Sequence, residues 1–424
     1  MKDQDQTRAL PSAETLVASR RRFVTGGTLT AVAAAIGVQI PFGRFMPEGL
    51  VPVALANTPD DLLASFGKKG LIVLGDKPLV AETPAHLLDD AVTPVAAMFV
   101  RNNGGLPDKA ALDPAKWTLT IDGESVEKPV TFTLAEIKAR FPHVTQQVFV
   151  ECGGNGRSEF QPPAKGNQWT HGGVGFPEFT GVRLSDLLKV AGVKKDAVYI
   201  GSYGIDPHLS GDTSKPVISR GVPIAKAMEP ETLLVWAMNG RELPLIHGYP
   251  LRLIVGGVPA SVCSKWLNKI VVRNKIHDGP KMGGHDYRLP NKPVAPGEAS
   301  DDYGIMETMP VKSIITFPRS GIQHAAGAAM EVRGQAWTGA DKITAVDVSI
   351  DFGQTWQKAT LLPARNRFAP HRFKANIHFP TTGYYEVWAR ATDSTGRGQP
   401  MVSPGWNTGG YGNNATHRIA VRVA

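Results

Sequence analysis

Two patterns of hydrophobic periodicity predict an α+β chain, in which a mixed α/β domain precedes an all-β immunoglobulin-like sandwich. Helix-like and strand-like segments are intermixed up to about residue 300, whereas only short strand-like segments follow from about residue 310. The length of 424 residues also exceeds what one hydrophobic core usually serves. A connector rich in Pro, Gly and acidic residues, 291–310, separates the two patterns. We therefore assign one domain to 95–300 and a second to 310–424.

The first domain has strands and short helices with recognisable ends. "WTLTIDG" alternates and closes on a turn-forming Asp-Gly pair, and "TFTLAEIKARFP" predicts a helix with a capping box of Thr133 and Glu136. "RLSDLLKVAGV" predicts a helix that is capped by Ser185 and ends at Gly192. "QQVFVEC" predicts one strand. That strand would deliver Cys152 to its end, next to a glycine-rich turn.

The second domain shows the alternation of half-buried strands. Val346, Val348 and Ile350 alternate with polar residues, as expected for a strand with one face in a core. About seven such strands, in roughly 115 residues without a helix pattern, are typical of an immunoglobulin-like sandwich.

The distribution of charge and the N-terminal segment limit the possible functions. The chain has 46 basic and 38 acidic residues, but it contains no run of five or more Lys or Arg, which argues against nucleic acid as a partner. Paired arginines before Phe23, an apolar stretch of roughly 15 residues and a small-residue site ending at Ala56 are typical of a twin-arginine export signal over 1–56. Residues 57–94 are interpreted as an arm leading into the first domain. We therefore expect export in the folded state to the periplasm.

The chain has two cysteines, Cys152 and Cys263. In an oxidising compartment they could form a disulfide, and their spacing does not exclude this. The haem-attachment sequence Cys-x-x-Cys-His is absent, and two cysteines cannot form an iron–sulfur cluster site. A redox enzyme of this sequence therefore needs an electron acceptor on another chain.

The segment "FVECGGNGRSEF" combines features of a metal-ligand loop. A thiolate is a soft ligand, and Cys152 follows an apolar strand pattern. The glycines after it permit close approach of a bulky group, and Arg157 would lower the pKa of the thiol and attract an anion. A plain turn with a buried cysteine and a surface arginine is the alternative that this stretch alone leaves open.

Further stretches bring cations and aromatics to similar turns. They are "FVRNNGGLP", "AKGNQWTHGG", "LIHGYPLRLIVGG", "SKWLNKI" and "GHDYRLP". Each has an ordinary interpretation by itself, such as a surface histidine or a core tryptophan. In order along the chain, together with the cysteine loop, they resemble the sulfite oxidase family of molybdenum enzymes over nearly the whole chain after the export signal.

The resemblance implies a role for each matching residue. Cys152 would be the protein ligand of a mononuclear, dioxo-type molybdenum that carries one molybdopterin, with no haem on this chain. The catalytic residues would be Arg101, Arg157, Trp169 and Tyr287. The cofactor-binding residues would be Asn102, Asn103, Asn155, Lys165, Asp212, His247, Arg252 and Lys265.

Three positions depart from the family pattern. Asn103 stands where members often have His, Gly156 where the animal enzymes have a second arginine, and Gly409 where they have a further substrate arginine. A pocket with fewer cations and less side-chain bulk would suit a sulfane sulfur on a carrier protein better than free sulfite.

The resemblance thus implies a sulfane dehydrogenase of thiosulfate oxidation. It would act by oxo transfer, pass electrons to a c-type cytochrome subunit in a heterotetramer, and dimerise through the C-terminal domain. Oxidation of free sulfite, reduction of a sulfoxide, and a non-enzymatic binding module with a structural cysteine remain as alternatives.

Overall fold

The computed structural model describes residues 59–298, 300–340 and 342–424. The predicted export signal, 1–56, lies outside the described residues, as does the start of the arm. Residues 63–424 form one compact unit. None of the helices in the described ranges is long and apolar enough to cross a membrane.

The arm residues continue directly into a sheet of the first domain. A hairpin of two strands pairs with a third strand, and Val80 lies opposite Arg101. These first elements are α1 (Pro59–Ser65), β1 (Ile72–Asp76), β2 (Leu79–Glu82) and β3 (Val100–Arg101).

Two sheets and a small ribbon form the rest of the mixed α/β domain. Their elements are β4 (Thr118–Asp122), β5 (Val130–Thr133), α2 (Leu134–Arg140), β6 (Val144–Gln147), β7 (Val150–Glu151), β8 (Val174–Gly175), β9 (Glu178–Arg183), α3 (Leu184–Ala191), β10 (Tyr199–Gly204), β11 (Ser219–Pro223), α4 (Ile224–Ala227), β12 (Leu233–Met238), β13 (Arg241–Glu242), β14 (Arg252–Ile254) and β15 (Leu267–Arg273). One sheet has the order β11-β10-β15-β4-β5, with β4 and β15 parallel. The other has the order β13-β12-β9-β6, with β14 also paired to β12, and β7 pairs with β8.

The C-terminal half is an all-β sandwich, preceded by the ribbon β16 (Arg288–Pro290) and β17 (Tyr303–Ile305). Its strands are β18 (Lys312–Phe317), β19 (Ile322–His324), β20 (Met330–Trp337), β21 (Ile343–Ser349), β22 (Gln357–Lys358), β23 (Thr360–Leu361), β24 (His371–Ile377), β25 (Gly383–Asp393) and β26 (His417–Val423). One sheet has the order β18-β20-β24-β23, and the other β19-β26-β25-β21-β22. Val346 and Val348 of β21 are buried between the sheets, as their alternation predicts. The predicted fold class, a mixed α/β domain followed by an all-β sandwich, is confirmed.

Three local predictions differ in outcome. The capping box of Thr133 and Glu136 is present at the start of α2. Ser185 does not cap α3, because that helix begins one residue earlier and the Leu184 N–H donates to the Thr232 carbonyl instead. The end of α3 at Gly192, in the left-handed conformation, is as predicted.

The sandwich has more strands than the expected seven or so. The short strands β19, β22 and β23 have no clear alternation, so the sequence pattern did not reveal them.

The strand predicted over "QQVFVEC" is divided into β6 and β7. Between them Val148 and Phe149 donate their N–H groups to the carbonyls of Pro177 and Phe368. The chain therefore leaves β9, the partner of β6 in the sheet β13-β12-β9-β6, and pairs with β8. This change of partner directs Cys152 away from the sheet.

Candidate active site

Cys152 is fixed by its backbone immediately after β7. Its N–H donates to the Gly173 carbonyl at 2.8 Å, and its carbonyl accepts from the Asn155 N–H at 2.9 Å. Gly156 has a φ of +91°, which favours glycine. Any Cβ at Gly154 would overlap the guanidinium of Arg157. The glycines of the loop therefore accommodate the turn and Arg157, while Cys152, 7% exposed, lines a cavity.

The cavity gathers predicted residues from five separate segments of the chain. Those that line it are Arg101, Asn103, Cys152, His247, Arg252, Lys265 and Tyr287. Residues that the sequence analysis did not select also line it, among them Asp206, Ser261, Cys263 and Ser264. Both cysteines are buried thiols with no disulfide, so the disulfide alternative is wrong.

A cluster of buried cationic residues forms one end of the cavity. Arg252 donates from Nη1 to the His247 carbonyl at 3.0 Å, while its Nε is buried without a partner. Lys265 donates to the Ile246 carbonyl at 3.0 Å and to the Asn102 side chain. Burial, followed by the neighbouring positive charges, lowers the pKa of His247 and that of Lys265 well below their ordinary values. The cluster is therefore short of negative charge.

Lys68, from the segment predicted to be an arm, completes this cluster. Its ammonium group donates to the carbonyls of Val95 at 2.6 Å and Met98 at 3.0 Å, and it contacts Nε2 of His247. Burial lowers the pKa of Lys68 to about 7. Asp206, whose own pKa is raised by burial, interacts electrostatically with Lys265. The single carboxyl group of Asp206, with its raised pKa, does not balance the positive charge that four basic side chains can carry. These are Lys68, His247, Arg252 and Lys265.

Two tyrosines and two arginines form a stack beside the cysteine loop. The Arg220 guanidinium lies 4.3 Å from the ring centre of Tyr287, and the Tyr287 and Tyr411 rings are stacked at 5.0 Å. The Arg157 guanidinium lies 5.2 Å from the ring centre of Tyr411. We name these four residues the arginine–tyrosine stack. Tyr287 has a φ of +51°, a conformation that a non-glycine residue keeps only when its surroundings hold it.

Arg157, predicted to be catalytic, is not among the lining residues and is connected to one of them, Tyr287, through Tyr411. It donates from Nε to the Gly409 carbonyl at 2.8 Å and from Nη1 to the Asn167 carbonyl at 2.9 Å. Any Cβ at Gly409 would overlap the Tyr411 ring. The space expected beside Gly409 is therefore not open, because Tyr411 fills it. The prediction of reduced side-chain bulk there is wrong.

The remaining predicted residues lie outside the cavity lining. Trp169 is fully buried and packs edge-to-face on Phe99, which lines the cavity. Asn155 donates to Glu151 and accepts from the Gly173 N–H, so it holds the cysteine loop. The Asn102 side chain donates a hydrogen bond to the Leu79 carbonyl and accepts one from Lys265.

Neither Lys165 nor Asp212 is among the lining residues. Lys165 is exposed. Asp212 pairs with Lys215 at 3.1 Å and accepts from the Ser214 hydroxyl, within its own loop.

Two of the residues that sequence analysis missed, Lys68 and Arg220, have no local motif. Lys68, Arg220 and Tyr411 come from three distant segments and meet the predicted residues only in the fold. The run "TGGYG" around Tyr411 carried a signal, since two glycines before an aromatic residue leave room for its ring.

Comparisons with known proteins identify the domains of the chain. A model of the oxidoreductase molybdopterin-binding domain matches residues 103–281, and one of the Mo-co oxidoreductase dimerisation domain matches 303–424. Mitochondrial sulfite oxidase of Macaca fascicularis is 32% identical, over 91% of this chain and 72% of that protein. Sulfite oxidase of Gallus gallus is 32% identical, over 82% of this chain and 77% of that protein.

The chain belongs to the sulfite oxidase family. The resemblance that the motifs indicated is therefore confirmed. The crystal structure of the sulfane dehydrogenase SoxCD from Paracoccus pantotrophus aligns with a TM-score of 0.70 at 28% identity, covering 91% of this chain and 97% of that chain. Rat mitochondrial sulfite oxidase is 30% identical over 83% of this chain, which spans 66% of that enzyme.

The residues present fit the molybdenum–molybdopterin cofactor that this membership implies. No group of three or more His, Cys, Asp or Glu side chains forms an ion site within the described residues. The thiol of Cys152, which lines the cavity, is available as the protein ligand of a metal that brings its other ligands with it. The buried cluster of Lys68, His247, Arg252 and Lys265, with an unpartnered Nε on Arg252, suits the phosphate of the pterin.

Proposed function

We propose that this chain is the molybdenum subunit of a periplasmic sulfane dehydrogenase, similar to SoxC. It oxidises sulfane sulfur bound to a carrier protein and passes electrons to a c-type cytochrome subunit similar to SoxD. The observation that carries the proposal is the likeness to the SoxCD chain, which extends over 97% of that chain and 91% of this one.

The chain's own residues divide the work between the two ends of the cavity. Cys152 would hold molybdenum through its thiolate, and the metal would supply two-electron oxidation of sulfur with transfer of an oxygen atom. Lys68, His247, Arg252 and Lys265 hold the pterin phosphate through charge-assisted contacts. Arg101 at the cavity, together with Arg157, stabilises negative charge on the oxidised sulfur. Tyr287, held between Arg220 and Tyr411, directs its side chain to the same cavity.

The location and assembly are part of the same proposal. We infer that the paired arginines near the N-terminus direct folded export to the periplasm, where a cytochrome accepts the electrons. The match of 303–424 to a dimerisation domain supports a homodimer of this chain, and with two cytochrome subunits a heterotetramer.

Free sulfite is the second candidate substrate. The animal sulfite oxidases reach 32% identity, slightly above the 28% of the SoxCD chain. Gly156 and Gly409 argue against free sulfite as the substrate. An arginine at each position would provide a cation near the substrate, and glycine does not.

Steady-state reduction of a c-type cytochrome distinguishes the two substrates. The purified, cofactor-loaded protein is assayed with free sulfite and with a carrier protein that bears sulfane sulfur on its cysteine. We expect kcat/KM for the carrier to exceed that for sulfite by about tenfold or more. A preference for sulfite would select the second candidate. No turnover of either substrate by protein that contains molybdenum and pterin would contradict both.

A further inference from the structure

Arg220 is a buried cation without a counter-ion among the residues that the structure describes. It lies in β11, is 1% exposed, and donates from Nη1 to the Ser261 hydroxyl at 2.7 Å. Its Nε is buried without any partner. No carboxylate lies within ion-pair distance of it in the described ranges, and the nearby Asp286 is paired with Lys281 at 3.4 Å. Burying an arginine is costly unless an anion compensates its charge.

Arg220 borders a second cavity of about 250 Å³ behind the active site. The charged residues that line this cavity are Arg220, Lys226, Glu229, Glu307 and Arg367. Glu229 is bound by Lys226 at 2.6 Å and faces Arg367 at 3.4 Å, so these two cations share one carboxylate. Glu307 is exposed. The inner end of the cavity is therefore positive, and Arg220 is the charge that lacks a partner there among the described residues.

We propose that this second cavity is a binding site for a small tetrahedral oxyanion, with Arg220 as its anchoring residue. A planar guanidinium presents a fork of N–H donors that matches the oxygens of sulfate or phosphate. The Nε of Arg220 is free for such a bond, while Nη1 remains on Ser261. An anion here would supply the negative charge that the protein itself does not.

The site lies one side chain away from the active site. Ser261 and Tyr287, both in contact with Arg220, line the cavity that contains Cys152. Oxidised sulfur groups are oxyanions, so a free sulfur oxyanion belongs to the chemical class that this site would bind. This choice of sulfate over other oxyanions rests on the proposed function, whereas the presence of an anion site rests on Arg220 alone.

Sulfate binding to the purified, cofactor-loaded protein tests the proposal without turnover. Isothermal titration at constant ionic strength, with chloride as the balancing anion, should give saturable binding of one sulfate per chain. Arg220→Met should weaken it about tenfold or more, because it removes charge-assisted hydrogen bonds. Lys226→Met is the matched control, since Lys226 lines the same cavity but is already paired with Glu229. It should bind sulfate within about twofold of the wild type.

The location of the anion is tested in the unaltered protein. Crystals soaked in selenate should show a selenium anomalous peak within hydrogen-bond distance of Arg220, and this result does not depend on the folding of any variant. Absence of saturable binding, equal weakening by Arg220→Met and Lys226→Met, or a selenium peak only at other residues would each overturn the proposal. Because no step requires catalysis, a failed substrate assay leaves the test intact.

Discussion

Two thiols line the active-site cavity, and their surroundings separate their roles. Cys263 is held by Val255, whose N–H donates to the sulfur and whose carbonyl accepts from it. Burial raises the pKa of Cys263, which favours the neutral thiol. Since the thiolate is the form that binds metals, Cys263 is the poorer ligand. Cys152 instead lies between the end of a strand and a glycine turn, and its side chain lines the cavity.

Replacement of each cysteine should therefore have a different effect. We expect Cys152→Ser to lose molybdenum and to lower kcat by roughly a hundredfold or more, because the protein ligand is removed. Cys263→Ala should keep molybdenum at a ratio near one per pterin. Metal analysis by mass spectrometry and pterin analysis by fluorescence measure both. Full molybdenum-dependent turnover by Cys152→Ser would contradict the assignment of the ligand.

Lys68 makes the stability of the apoprotein depend on pH. Its pKa is about 7 in the fold, against an ordinary value of 10.5. Between these two pH values the unfolded chain carries a proton on Lys68 that the folded chain has released. The free energy of unfolding therefore rises as the pH increases from about 7 toward 10. A bound phosphate would favour the charged lysine and reduce this dependence.

Lys68→Met should remove this contribution. We expect the thermal midpoint of cofactor-free protein to rise between pH 7 and pH 9, and to rise less in the variant. The comparison isolates Lys68 together with His247 and Lys265, whose pKa values its charge lowers, since groups away from this cluster are the same in both proteins. An equal rise of the thermal midpoint in the two proteins would show that deprotonation of Lys68 does not cause the pH dependence.

At the scale of elements, a buried ion pair joins the cysteine loop to the sandwich. Glu151, the last residue of β7, is fully buried and accepts from Lys312 at the start of β18 at 2.6 Å. Trp337 of β20 donates to the other oxygen of the same carboxylate at 2.8 Å. Asn155 and the Lys312 ammonium complete the network around the loop. The sandwich therefore fixes the residue that immediately precedes Cys152.

Breaking this pair from one side should be costly. Lys312→Met leaves the Glu151 carboxylate buried and unpaired, so we expect a loss of about 3–5 kcal/mol in the free energy of unfolding and reduced retention of molybdenum. The double variant Lys312→Met with Glu151→Gln removes both charges and should recover much of this loss. Chemical denaturation of the four proteins of the cycle provides the measurement. If the two changes in the free energy of unfolding simply add in the double variant, the two side chains are not coupled.

Elements were predictable where local chemistry determines them, and not where a distant segment does. Thr133 and Glu136 cap α2 within four residues, so the sequence pattern sufficed. Ser185 was the wrong cap because the carbonyl of Thr232, 47 positions further along the chain, satisfies the first turn of α3. The same contrast holds in the site. The Cys152 loop was visible as a motif, whereas Lys68, Arg220 and Tyr411 reach it only through the fold.

At the scale of the whole molecule, the sandwich carries an exposed apolar patch. It consists of Phe352, Met401 and Val402, which are 53%, 44% and 70% exposed. Met401 packs near the turn that follows Phe352, since a Cβ at Gly353 would lie 3.3 Å from the Met401 methyl group. Exposed apolar residues that cluster in this way are typical of an interface. The patch lies within residues 303–424, which match the dimerisation domain, so a second copy of this chain is the partner we expect.

Charged substitutions in the patch should therefore separate the dimer. We expect the double variant Phe352→Asp, Val402→Asp to elute as a monomer under conditions in which the wild type is a dimer, because each new carboxylate would be buried without a partner. Phe352 has a φ of +59°, which aspartate adopts more readily than a bulky residue, so the change should not strain the turn. Leu209→Asp, at a position 53% exposed in the first domain, is the matched control and should remain a dimer.

Light scattering coupled to size-exclusion chromatography measures the mass, and molybdenum content confirms that the site is intact. A variant that stays dimeric would place the interface elsewhere, and a wild type that is monomeric at every concentration would remove the dimer from the proposed assembly.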